Sequence, residues 1–413
     1  MNNLFIGLIY DDKEINWISK NNKSGFEAAA NNFQWSFING LKENLNGNLD
    51  VFSFLPIGTW PFNYRKLFIK TKHYDIPNAG KLFQIGFINI FLIKEIYRLI
   101  VLFFLLIKWT KKNPNGGTIY VYSLYTPFLI SLFFYFKLIK KNHYCLIVPD
   151  LMGKFGVLAP LYSFLGIKQR IDSYFQLKFS KGPNSYVLLT KYMAKPLDIL
   201  NKPFIVIEGL VYLDEFDLTI SEEGKNIVES NKRIIFYYGS LNKEYGIDTL
   251  FESFLKIENI NYELWICGPL SQSDFILEYS KKDSRIIYKG FLMKDELLKT
   301  QKLATILINP RPNIGEFVKY SFPSKISQYM LSGKPVIMFK LDGIPEEYYD
   351  YVYLMSSFDI DIMAVVIEKV CSLSLIDLYE FGDNAKKFIS VNKNVKVQTK
   401  NVFDFIENQI ISL

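Results

Sequence analysis

Residues 233–255 read RIIFYYGSLNKEYGIDTLFESFL. Arg233–Tyr238 is an unbroken run of the kind a strand buried on both faces shows. Gly239 ends it. Ile247, Leu250, Phe251, Phe254 and Leu255 then recur at helical spacing and make one apolar face. A strand, a glycine turn and a helix are the repeating unit of a doubly wound parallel sheet. The unit recurs downstream. Tyr262–Cys267 is a strand closed by Gly268-Pro269, and Ile286–Tyr288 one closed by Gly290. Ala304–Ile308 is closed by Asn309-Pro310. Pro323–Leu331 is a short helix stopped by Ser332-Gly333, and Pro335–Phe339 is the next strand.

Upstream the same alternation is looser. Strands are predicted at Leu4–Tyr10, Leu49–Leu55, Thr118–Tyr122, Tyr144–Val148, Ser185–Leu189 and Phe204–Ile207. Helices are predicted at Phe26–Leu41 and Pro127–Lys140, with Gly58–Gly80 irregular. The chain of 413 residues suits two such domains. The expected boundary lies near Glu208–Phe216. Residues 1–210 make one α/β domain and 211–394 a second, and the amphipathic stretch Val395–Leu413 is helical.

Composition narrows the chemistry. Cys145, Cys267 and Cys371 are too far apart for a disulfide framework or a zinc pattern, which points to a reducing compartment. Two histidines, His73 and His143, leave no room for a histidine-rich metal site and little for a Ser-His-Asp hydrolase. His143 reads as a surface residue beside Lys140 and Lys141. Residues 1–210 carry 25 Lys and Arg against 12 Asp and Glu, and residues 61–141 alone carry 13 against 2. Those cations lie among aliphatic and aromatic runs with no nucleic-acid motif. They suit an anionic membrane surface, or the solvated edge of a core helix. Ile88–Trp109 is interrupted by Lys94, Glu95 and Arg98, and its longest uncharged run, Leu99–Ile107, is nine residues. That is too short to span a bilayer.

Two loops at the carboxyl ends of strands carry the chemistry, because helix N-termini point at that edge. In the first, Gly239 permits a tight turn, Ser240 and the loop amides donate to phosphate, and Lys243 adds a point charge. The second runs Asn309-Pro310-Arg311-Pro312, then Glu316, Tyr320 and Ser321-Phe322-Pro323-Ser324-Lys325. Pro323 suits a first helical turn, so the helix is expected to start there and present its amides, Ser321, Ser324 and Lys325 to a diphosphate. Gln328, one turn on, can reach a ribose hydroxyl. Each loop also has a plain reading, as an ordinary strand-to-helix turn with exposed lysine.

The runs "NPRP", "KYSFPSKISQYMLSGKPVI" and "DGIPEEY", together with "YGSLNKEYGIDTLFESF" (Tyr238–Phe254) and Leu264–Gly268, resemble the retaining, family-four (group 1) glycosyltransferases. Within them they resemble a bacterial branch from surface-polysaccharide clusters. In the first half "AANNFQWSFINGL" (Ala29–Leu41), "VPDL" (Val148–Leu151), "LLTKYM" (Leu188–Met193) and "IEGLV" (Ile207–Val211) look similar. The resemblance implies the GT-B architecture: two Rossmann-like domains facing across a cleft, the last helix packing back on the first. It implies a metal-independent hexosyltransferase that needs no cofactor. The donor is a nucleoside-diphosphate sugar, and the acceptor a lipid-linked or other glycan of capsule, O-antigen or exopolysaccharide synthesis. The enzyme would sit peripherally at the inner face of the cytoplasmic membrane.

The resemblance also implies roles. Gly239, Ser240, Lys243 and Lys325 hold the diphosphate and offset the charge that grows as the sugar leaves. Gln328 stands where the family has a ribose-binding glutamate, and Tyr320 where it has a second glutamate eight residues earlier. Glu316 is the nearest carboxylate for the sugar hydroxyls. Gly268, Arg311, Ser321, Phe322, Pro323 and Ser324 line the donor. Asn31 and Asn32 face the acceptor, and Asp150 orients its hydroxyl or simply caps a turn. Two rivals stand beside this reading. One is a sugar-nucleotide epimerase of the same architecture. The other is a non-catalytic partner-binding protein, which the glutamine at position 328 favours.

Overall fold

The chain divides into two units, Met1–Leu210 with Val395–Leu413, and Val211–Asn394. The computed structural model describes residues 2–23, 28–45, 47–76, 80–151, 160, 162–213, 232–269 and 273–411. Residues 214–216 of the expected boundary, and 270–272 of the loop after Gly268, lie outside the described residues.

The first unit contains strands β1 (Asn2–Gly7), β2 (Leu49–Ser53), β3 (Phe68–Ile69), β4 (Lys72–Asp75), β5 (Lys81–Gln84) and β6 (Phe87–Ile88). It continues with β7 (Gly117–Tyr122), β8 (His143–Val148), β9 (Ser185–Leu188) and β10 (Phe204–Val206). Eight of them form one sheet in the order β10-β9-β8-β7-β1-β2-β5-β4. All neighbours are parallel except β4, which runs against β5. The helices are α1 (Ile15–Asn21), α2 (Ala28–Asn44), α3 (Ile93–Lys112), α4 (Thr126–Leu138) and α5 (Phe164–Phe179). Strand order reverses at β1. Right-handed crossovers therefore put α2 on one face and α3, α4 and α5 side by side on the other, where α4 packs against both its neighbours. The last helix of the chain, Val395–Ile411, lies on α2. Its Val402 and Ile406 join Phe5, Phe37, Leu41 and Tyr120 in one core.

The second unit is a six-stranded parallel sheet: β11 (Arg233–Tyr238), β12 (Tyr262–Cys267), β13 (Ile286–Tyr288), β14 (Ile306–Asn309), β15 (Val336–Phe339) and β16 (Tyr353–Met355). The order is β13-β12-β11-β14-β15-β16. Its helices are α6 (Ile247–Leu255), α7 (Ser273–Lys282), α8 (Lys294–Leu303), α9 (Lys325–Leu331), α10 (Ile360–Cys371) and α11 (Leu375–Asn392). Strand order reverses between β11 and β14. Ligands of open parallel sheets bind at such a reversal, outside the carboxyl ends of the strands.

Four local expectations are corrected. β1 stops at Gly7, not Tyr10, because side chains take the next backbone groups. Gln34 holds Leu8 N–H and C=O, the Ser53 hydroxyl holds Ile9, and Asn31 Oδ1 accepts from Tyr10 N–H. The stretch Gly58–Gly80 is not irregular throughout, since β3 and β4 form within it. The helix expected from Pro323 begins at Lys325. Pro323 contributes only its carbonyl, which accepts from Ile326 N–H at 2.9 Å. His143 is not on the surface. It opens β8, is 7% exposed, and pairs through Nε2 with the Ser185 hydroxyl at 2.8 Å. Burial pushes its imidazole down to about 4. The neighbouring lysines misled because the strand dives inward immediately after them.

Candidate functional site

The reversal in the second unit is where the two quoted loops meet. β11 delivers Gly239 and β14 delivers Pro310 and Arg311. A Cβ on Gly246 would come 2.3 Å from the Pro310 carbonyl oxygen, and its backbone has φ of +76°. Only glycine allows this approach and this conformation together. The first loop is thereby clamped on the second.

Period-two alternation sends Tyr237 and Tyr238 to opposite faces of β11. Tyr237 Oη donates to the Ser240 carbonyl at 2.6 Å and braces the turn. Tyr238 lies under the Lys325 ammonium, 5.4 Å from the ring centre, and its hydroxyl donates to Gln328 Oε1 at 3.3 Å. Tyr329 ties helix α9 to the same strand, its hydroxyl donating to the Tyr238 carbonyl at 3.2 Å. So α9 is fixed on β11 with its first residue, Lys325, over the Gly239 turn. The Gly239 amide is itself taken, donating to the Cys267 carbonyl at 2.9 Å. Anion binding at the turn then rests on Lys325 and the amides that follow. Gly268, after β12, presses on the same turn, where a Cβ would lie 2.4 Å from the Gly239 carbonyl oxygen.

Arg311 brings in the second loop. It is 9% exposed. Its Nη2 donates to the Ser321 hydroxyl at 3.0 Å, and its guanidinium lies 5.6 Å from the Tyr245 ring and 5.2 Å from Phe317. Ser321 is thereby engaged with Arg311, and Tyr245 of the first loop is stacked onto the second. Burial lowers the guanidinium's affinity for its proton. Burial also pushes the Lys325 ammonium down to about 8, offset slightly by the nearby Cys267 thiol. Among the described residues neither cation has a carboxylate partner. Two desolvated positive charges without counter-ions are costly unless an anion completes them.

The remaining expected residues are placed as follows. Lys243 is exposed and opens the short turn Lys243–Tyr245. Ser324 is exposed at the cap of α9, where its side chain makes no capping bond. Pro323 is half-buried just before it. Glu316 is exposed. It accepts from Tyr320 Oη at 3.0 Å and pairs with Lys319 at 3.1 Å. Phe322 is buried edge-on against Tyr348, 5.5 Å between centres, and serves the core. In the first unit, Asn31 is 2% exposed and spent on Tyr10, Asn32 is exposed, and Asp150 is exposed beyond β8. Sequence reading missed Tyr237, Tyr238, Tyr245 and Tyr329. A tyrosine in a buried strand reads as core, and only contacts between distant segments show its second task.

Residues 220–388 match the family model "Glycosyl transferases group 1". That span is most of the second unit and contains every donor-side residue named above. No curated protein matches the chain in sequence. Among solved structures it is similar to sucrose-phosphate synthase from Thermosynechococcus elongatus, at 12% identity, TM-score 0.65, covering 100% of both chains. It is similar to HepE from Anabaena in complex with UDP, at 11% identity, TM-score 0.62, covering 99% of this chain and 100% of that one. It is also similar to the lipopolysaccharide outer core galactosyltransferase WaaB, at 14% identity, TM-score 0.61, covering 99% and 100%. At these identities the likeness shows the fold, which is GT-B with two Rossmann-like units. The match to group 1 and the fold together support a glycosyltransferase that draws on a nucleotide sugar.

Proposed function

We propose that the protein is a retaining, metal-independent hexosyltransferase that moves a sugar from a nucleoside diphosphate to a lipid-linked glycan of a bacterial surface polysaccharide. It would work at the inner face of the cytoplasmic membrane. The observation that carries the donor side is the pair of cations, half-buried Lys325 and buried Arg311, which lack carboxylates among the described residues where two loops converge at the sheet reversal. A diphosphate between Gly239 and Lys325 supplies the missing counter-charge. As the bond from the anomeric carbon to the donor phosphate oxygen breaks, negative charge grows on that oxygen. Lys325, with exposed Lys243, meets that charge in this reading, and stabilisation of this kind is the largest usual term in such a transfer. The leaving phosphate takes the acceptor's proton, so no protein base is needed on that face. Gln328, oriented by Tyr238, accepts from a ribose hydroxyl. Glu316 and Tyr320 serve the sugar, and Asp150 and Asn32 the acceptor. The structure of HepE is of a complex with UDP, which makes a uridine nucleotide the first to test.

The test is thermal denaturation with UDP, GDP, ADP and CMP, because a ligand of the native state raises the midpoint by mass action. One nucleotide should raise it, and Lys325→Ala should abolish the rise. A folded protein that responds to none of them would sink the donor reading and return weight to a non-catalytic binding protein. An epimerase is disfavoured by the histidines: His143 is spent on Ser185, and both lie in the first unit.

A further inference from the structure

Helix α3 is inside out for a helix that faces water. Its inward face holds Lys94 and Arg98, 5% and 3% exposed, with Leu102, Leu106 and Trp109. Lys94 Nζ donates to the Ile57 carbonyl at 3.0 Å, and Arg98 donates to the Leu55 carbonyl and the Tyr125 hydroxyl. The cations are thus consumed in pinning the loop after β2. The outward face is left to Ile93, Ile96, Tyr97, Ile100 and Phe104, the last 62% exposed. A solvated helix has the opposite distribution.

The apolar row does not end with α3. Between α3 and α4 runs a groove of about 380 Å³ lined by Leu99, Ile100, Phe103, Phe104, Phe134 and Leu138, with Lys137 at its rim. At the other end Phe68 and Ile88, both exposed, are direct partners in the β3–β6 ribbon that leads into α3. A contiguous exposed surface of this kind marks an interaction site. Its margin is basic. Lys108, Lys111 and Lys112 close α3, Lys137 lies in the last turn of α4, and Lys140 and Lys141 follow it, all exposed. The acidic side chains of this layer, Glu95 and Asp172, are occupied by Tyr125 and by Lys168. No described helix is long and apolar enough to cross a membrane.

We infer that the β3–β6 ribbon and the α3–α4 face form a docking surface for an anionic lipid bilayer, with a lipid hydrocarbon chain entering the α3–α4 groove. An apolar surface bordered by lysines at the C-terminal ends of its helices matches the boundary between headgroups and acyl chains. A second copy of the chain would cover the apolar row but supply no anionic complement to the lysines, since the acidic side chains of this layer are already paired. The inference deepens the proposed function by naming the surface that meets the membrane, and it rests on that reading only in the choice of partner.

The experiment is vesicle flotation of the full chain. Vesicles are either phosphatidylcholine alone or equimolar phosphatidylcholine and phosphatidylglycerol. The wild type should float with the anionic vesicles at low salt and be largely released at high salt. The pair Phe104→Ser with Phe134→Ser should lower partitioning by tenfold or more. Lys111→Glu with Lys112→Glu should do so on anionic vesicles only. All four side chains are at least partly exposed, so the variants should keep the wild-type melting curve and nucleotide response. Full binding by the serine variant overturns the inference, as does failure of the wild type to float. So does a wild-type dimer in light scattering that the same substitutions dissolve. Flotation without any nucleotide response leaves this surface standing and removes the donor reading instead.

Discussion

The Lys325 ammonium rests against the bare Cα of Gly239, so close that a Cβ there would stand 2.4 Å from Nζ and 2.8 Å from the Tyr237 hydroxyl. Both obstacles are ends of side chains, and the Gly239 backbone has φ of +154°, which alanine adopts only with strain, so Gly239→Ala should fold with a lowered melting midpoint. Lys325 must move aside to admit the methyl, and it then leaves the position proposed for the diphosphate. Titration calorimetry with pyrophosphate should show affinity lower by about tenfold, the scale of one misplaced charged contact. Unchanged affinity would remove Lys325 from the site.

Lys325 is also expected to trade stability for function. Its ammonium is held near 8, below the roughly 10.4 of an unfolded chain. The unfolded state therefore binds the extra proton between those values, and folding pays for it at every lower pH. Lys325→Met should raise stability at pH 7 by about 1–2 kcal/mol, read from denaturant midpoints, while losing nucleotide binding. A less stable variant would show that the ammonium has partners that stabilise it.

The same value sets a pH dependence for the ligand. A diphosphate favours the protonated lysine, so binding should be strongest below pH 8 and weaken as pH rises through it. Proton uptake on binding should accompany the loss, visible as a heat that depends on the buffer. Affinity flat from pH 7 to 9.5 would argue that Lys325 does not touch the anion.

Gln328 and the phosphate cradle can be separated. Gln328 is held by Tyr238 one turn along α9 from Lys325, on the same face, and is assigned to the ribose. Gln328→Ala should weaken a nucleoside diphosphate by roughly five- to tenfold, one neutral hydrogen bond, and leave pyrophosphate binding unchanged. Equal weakening of both would place Gln328 on the phosphates.

His143 predicts acid sensitivity of the first unit. Its imidazole titrates near 4 when folded and near 6.5 when unfolded. Its contribution to stability is therefore complete above 6.5 and lost as pH falls towards 4, about 3 kcal/mol in all. His143→Gln, which can keep a hydrogen bond to Ser185, should flatten that part of the stability profile.

Much of the second unit was legible because its strands are continuous apolar runs that end in glycine or proline. Arg233–Tyr238, Tyr262–Cys267 and Ile286–Tyr288 form with the expected bounds. The first unit blurs that signal. Side chains from α2 stop β1 three residues early, and the paired strands after Gly58 are too short to show alternation. Helix α5 carries exposed Ile167, Ile171 and Tyr174 beside its charges, so no apolar stripe announces it. At the site, glycine, proline and lysine were readable from turn chemistry. The tyrosines that orient them were not, because Tyr238 meets Gln328 and Tyr329 across some ninety residues.

The helix Val395–Ile411 completes the core of a unit whose other elements precede Leu210. On the ribosome those elements emerge first. The partner for Phe37 and Leu41 follows only after residues 211–394, roughly 10–40 s of synthesis at about 5–20 residues per second. For that interval the nascent first unit carries an uncovered apolar seam along α2. Its maturation is then timed by translation of the inserted domain, and a chain truncated before Val395 would hold a finished second unit and an unfinished first.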